Sequence, residues 1–170
     1  MRDRLGWQSK EISSFLTLVG VYITMAPVAS KFTIKKLGRL GHTTFSNVCN
    51  AAGYFLWARA NDVSSMRLAQ VPLVFGGRKR DGVETLISDI GAHSHGMGKG
   101  ELESYKMNMR SIANFCAPIV YSRVFALGKG RGALGAPFLC AVVFSILAEM
   151  AFRQVKKEDI VKQMPPGSVL

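Results

Sequence analysis

Residues Ile12 to Ser30 carry no charged side chain, the chain then turns basic through Lys31-Phe-Thr-Ile-Lys-Lys-Leu-Gly-Arg39, and a second uncharged stretch runs from Leu40 to Ala58. Crossing the hydrocarbon core of a bilayer takes about 20 mainly apolar helical residues. Two such stretches joined by a short basic segment read as a membrane helix, a basic loop and a second membrane helix. The clustered Lys31, Lys35, Lys36 and Arg39 have no acidic neighbour in the loop, so the loop is expected on a cytoplasmic or matrix-like side.

The chain of 170 residues is 48% hydrophobic and carries a formal net charge of +11. In a soluble protein that charge would point to nucleic acid or an acidic partner. Here the basic residues fall mostly between apolar segments, where side chains flanking lipid belong, so the expectation is an all-α integral membrane helical bundle and no nucleic acid. Cys49, Cys116 and Cys140 lie far apart inside apolar stretches and read as small buried hydrophobes. No cleavable signal pattern precedes the first apolar run, so that helix itself is expected to direct insertion.

The whole chain yields about five candidate transmembrane helices, at residues 12–30, 41–58, 68–91, 107–127 and 132–148, in one membrane domain over 1–152. Residues 153–170 are expected to form a polar tail on the cytoplasmic side. Pro27 near the end of the first span is tolerated because neighbouring helices can satisfy the freed carbonyl. The second span holds His42, Asn47 and Asn50, which must face other helices. Arg110 and Arg123 stand near the two ends of the fourth, placed to snorkel toward the interfaces. Small residues at 128, 132 and 136 lead into the fifth and allow close helix approach. The third span is interrupted by Arg78-Lys79-Arg80-Asp81-Gly82-Val83-Glu84, leaving it either an extramembrane loop or a helix against a wet cavity.

That interruption supplies the candidate site: Arg78, Arg80, Asp81 and Glu84. On one helix, Arg80 and Glu84 would share a face at four apart and Arg78 and Asp81 at three apart. Mutual neutralisation in a solvated loop is the plain reading; lining a cavity that binds an anionic solute or relays protons is the sharper one. His93-Ser-His95 lacks a cysteine or carboxylate to complete a metal site, and Gly96-Met-Gly-Lys-Gly100 fails the phosphate-loop spacing. No nucleophile and base fall into a recognisable pattern, so neither an enzyme, a metal nor a cofactor is expected.

In order along the chain, Arg4-Leu-Gly-Trp-Gln-Ser-Lys-Glu-Ile-Ser-Ser-Phe15, Lys35-Lys-Leu-Gly-Arg39, Leu86-Ile-Ser-Asp89, Gly100-Glu-Leu-Glu103 and Ala117-Pro118 form a series. From Trp7 to Gln154 that series resembles the C-terminal half of a major facilitator superfamily transporter, from its eighth to its twelfth helix. In that resemblance Lys35, Lys36, Gly38 and Arg39 occupy the family's conformational turn, with Lys35 in place of the turn aspartate, so a lock built on that carboxylate is lost. The family binds solute near the midplane between two lobes and works by rocking one against the other. The resemblance therefore implies a partial C-terminal lobe that transports by alternating access only with a partner protein supplying the missing half, either as a truncated or as a split polypeptide. The alternative expectation is a transport-inactive structural subunit of a larger membrane assembly. Either way the chain is expected to be multi-pass, with the lipid bilayer as its first partner.

Overall fold

The computed structural model describes residues 8–78, 82–84, 87–88 and 98–154, and every regular element among them is helical. The elements are α1 (Ser9–Arg59), α2 (Val63–Leu68), α3 (Gln70–Gly76), α4 (Lys99–Gly130) and α5 (Ala136–Gln154). Three of these, α1, α4 and α5, are long and apolar enough to cross a membrane.

The chain reverses inside α1. Gly38 has φ 70° and ψ 176°, a combination open to glycine but costly for a residue with a Cβ. On an unbroken helix Phe15 and Trp57 would stand about 63 Å apart; their ring centroids are 6.3 Å apart. Residues 9–37 and 39–59 are therefore two antiparallel arms, and the glycine between the basic residues is what turns one apolar run back on the other. The first arm starts on Glu11, whose carboxylate accepts from the Gln8 backbone N–H at 3.0 Å. Pro27 lies inside that arm, where the backbone stays helical.

The second arm is the centre of the fold, with three antiparallel neighbours. The first arm lies along it from Phe15 at Trp57 to Ser30 at His42. The stretch through α2 and α3 lies along another face. The Trp57 indole donates to the Met66 carbonyl at 3.2 Å, Ser46 Oγ donates to the Phe75 carbonyl at 2.9 Å, and Gly82 packs on Thr43 and the Arg39 carbonyl. α5 takes the third side, from Gly135 at Ala58 to Glu149 at Asn47.

Close approach is bought with small residues. A Cβ on Gly53 would sit 2.5 Å from Leu73 Cγ, one on Gly76 2.5 Å from Asn50 Oδ1, and one on Gly135 2.5 Å from the Ala58 carbonyl oxygen. Lipid tails are as apolar as leucine, so helices in a bilayer associate through such packing and through hydrogen bonds.

α4 is different. It meets α5 at the turn between them, where Gly128 lies against Ala133 and Ala136 and Gly132 adopts φ 71°. Two expected boundaries shift as a result: residues 132–135 belong to the turn, and α5 continues past 148 to Gln154. The expected third span, 68–91, is not one regular helix over its described part, since α2 and α3 are separated at Ala69 and a turn follows Gly76.

Polarity is inverted relative to a water-soluble protein. His42 and Ser46 are fully buried, while Phe115 and Ile23 are 73% and 66% exposed. Buried polar residues outnumber buried apolar ones around the second arm, and the outer surface carries Leu16, Val28, Phe32, Val48, Val143 and Leu147. A surface of this kind is stable against hydrocarbon, where scattered large apolar side chains need no covering by protein.

Candidate functional site

Polar side chains converge along the inner faces of the second arm. His42 sits at its Gly38 end with both ring nitrogens occupied. Thr33 Oγ1 shares its hydrogen between the carbonyls of Ala29 and Ser30, each at 3.0 Å, which leaves the oxygen to accept from His42 Nδ1–H at 2.6 Å. Nε2 then stands 3.4 Å from Ser30 Oγ, which can donate to it, and 3.3 Å from the Arg78 carbonyl oxygen.

One turn further on, Ser46 reaches the α3 backbone and Asn47 reaches α5. Asn47 Nδ2 donates to Glu149 Oε2 at 3.0 Å, and Arg153 Nε donates to the other carboxylate oxygen at 2.8 Å. Buried amides and hydroxyls that would be costly alone are thereby paired across helices.

Beside this seam is a cavity of about 170 Å³. The first arm supplies Val19, Tyr22, Ile23 and Ala26, and the second arm supplies Trp57. Gln70, Leu73, Val74, Gly77 and Arg78 close it, recurring at the spacing of one helix face. Gln70 is 2% exposed, and neither atom of its amide has a hydrogen-bond partner.

The sequence-predicted site residues divide between these places. Arg78 lines the cavity and its carbonyl faces His42. Arg80 and Asp81 lie outside the described residues, and with them the expected Arg80–Glu84 and Arg78–Asp81 pairs. Glu84 pairs with Arg110 of α4, an ion pair more than a third exposed on both sides. Gly38 makes the reversal; Lys35 and Lys36 project outward, Lys36 Nζ standing 4.6 Å from the centre of the Phe32 ring; Arg39 is half-buried. Gly82 against the Arg39 carbonyl, with the Arg78 carbonyl at His42, brings the turn and Arg78 to the same end of the bundle. Among the described residues no group of histidine, cysteine and carboxylate side chains has the arrangement of a metal centre.

Ser30, Thr33, Ser46, Gln70 and Glu149 were not singled out by sequence. For Ser30, Thr33 and Ser46 the one legible signal is uncharged polarity inside or beside stretches long enough to span, which marks helix contacts without saying which helix is met; Gln70 and Glu149 carry no such signal. Set beside known protein families, curated proteins and solved structures, the chain matches none of them.

Proposed function

We propose that this chain is a multi-pass membrane protein of about five crossings that forms part of a solute transporter of the major facilitator type, acting with further helices that complete the second wall of the path. The observation that carries the reading is the buried polar seam on a central helix inside an apolar exterior. Polar groups enclosed by membrane helices mark solute and ion paths. The reading of a crossing after residue 63 is supported by α2 and α3 lying along the second arm, with Met66 at Trp57 and Phe75 at Ser46.

α4 supports the need for further helices. Asn108, Ser111, Asn114, Ser122 and Arg123 are exposed along it, and side chains of this kind in a bilayer are satisfied by other helices or at its surface. The order of motifs from Trp7 to Gln154, with Lys35 to Arg39 at the reversal, supports the superfamily assignment. The test is purification of the tagged chain from its native membrane in mild detergent. Co-migration with a polypeptide that contributes additional membrane helices is expected; migration only as a free monomer overturns the reading.

A further inference from the structure

We infer that the outward face of the first arm holds an anionic glycerophospholipid, its phosphate set among Lys31, Lys35 and Lys36 and an acyl chain laid along Val21, Met25, Val28 and Phe32. The inference rests on the first arm crossing a bilayer and not on transport. It therefore holds whether or not further helices complete a solute path.

Two faces of one helix define the site. Ala26, Ser30 and Thr33 are buried toward the second arm, where Ser30 and Thr33 reach His42. Val21, Met25, Val28 and Phe32 lie on the other side, each between 50% and 63% exposed. At about 3.6 residues per turn, Lys31 and Lys35 fall on one flank of that apolar stripe and Lys36 on the other. From Val21 to Phe32 the stripe rises about 17 Å, close to half of a hydrocarbon core of about 30 Å. It matches the acyl region of one leaflet, and the exposed lysines gather at its Gly38 end, at the level of the headgroups.

Charge supplies the occupant. No aspartate or glutamate occurs between Glu11 and Asp62. At that end of the bundle Glu84 pairs with Arg110, Glu103 with Lys106, and Glu149 with Asn47 and Arg153. Among the described residues no carboxylate is paired with Lys31, Lys35 or Lys36. Lys36 Nζ stands 4.6 Å from the centre of the Phe32 ring, at the boundary of the stripe. Lys31 and Lys35, four apart, repel one another along one face, and an anion between them removes that repulsion. The surface directly beneath is apolar and faces lipid, so the anion that fits carries a hydrocarbon tail. A glycerophospholipid has both parts in the observed order.

With the native cysteines replaced, a bimane attached through Val28→Cys sits on the stripe and is quenched by bromine on a neighbouring acyl chain. In phosphatidylcholine nanodiscs, a minor fraction of acyl-brominated phosphatidylglycerol is expected to quench it as though enriched about tenfold over acyl-brominated phosphatidylcholine, since each lysine beside anionic headgroups contributes about fivefold. Lys31→Gln, Lys35→Gln and Lys36→Gln together remove the preference and leave quenching by the brominated phosphatidylcholine unchanged. Arginine at the same three positions keeps the preference, as does glutamine at Lys10, Lys129 and Arg131 at the opposite end, with thermal unfolding confirming a folded chain in each case. Equal quenching by the two lipids, a preference that survives the three glutamines, or an equal loss from the opposite end would overturn the inference. So would displacement of the lipid by inorganic phosphate beyond that by chloride at equal ionic strength, which would mark a site for the free anion.

Discussion

At one end of the second arm an indole meets Phe15, Met66 and Phe138 from three neighbouring segments; at the other an imidazole meets Ser30, Thr33 and the Arg78 carbonyl. Trp57 is held by ring contacts at 5.5 to 6.3 Å and by the hydrogen bond to the Met66 carbonyl. His42, fully buried, is held through hydrogen bonds at both ring nitrogens. The aromatic end gains from contact area, which is insensitive to small rotations. The polar end gains from directed bonds, which set the register of the arms around Gly38. Stability therefore concentrates near Trp57 and positioning near His42, beside the residues proposed to handle solute.

The largest expected effect breaks the aromatic end. Trp57→Ala removes the contact shared by three segments and should cost about 3–5 kcal/mol, read as a lower detergent-unfolding midpoint. The polar end should respond differently. His42→Leu removes the partner of Thr33 and Ser30 and should cost about 1–2 kcal/mol, because interhelical hydrogen bonds in membranes are individually modest. Spin labels at Ser13 and Arg59 should nevertheless report a broader distance distribution between the arms. A loss as large as that of Trp57→Ala would put the two ends on the same footing.

The smallest effect lies just outside the bundle. Asp62 caps α2, accepting from the Ser65 N–H at 2.5 Å, and hydrogen bonds from Ser65 hold its carboxyl below the usual aspartate range. Its contribution is complete above the ordinary aspartate pKa of about 3.9 and is lost as pH falls through the lowered value. Asp62→Ala should accordingly lower the midpoint at neutral pH, and the gap from the parent should close on acidification.

The hairpin was legible in the sequence because charge and length both punctuate it: two uncharged stretches and a basic turn with Gly38 leave little else to build. The third stretch was harder. Its hydrophobic signal stops at Gly77, yet its path is set by Gly53, Gly76 and Ser46, residues that hydropathy scores as neutral or poor. The second arm shows why. A helix surrounded by protein needs small and hydrogen-bonding side chains, and the second arm buries His42, Thr43, Ser46, Asn47 and Asn50. Gln70 gave no sequence signal, since what distinguishes it is the cavity beside it and the absence of a partner. The ion pair of Glu84 with Arg110 was likewise hidden, because local spacing favours a partner four residues away over one on another helix.

The central claim is that residues 39–59 cross a bilayer with the Gly38 reversal on one face and Asn61 on the other. It is tested most directly in sealed vesicles, with the native cysteines replaced and a single cysteine at Lys35 or at Asn61 exposed to a membrane-impermeant maleimide from either side. The account predicts that position 35 labels from one side only and position 61 from the opposite side only. Labelling of both positions from the same side would contradict it.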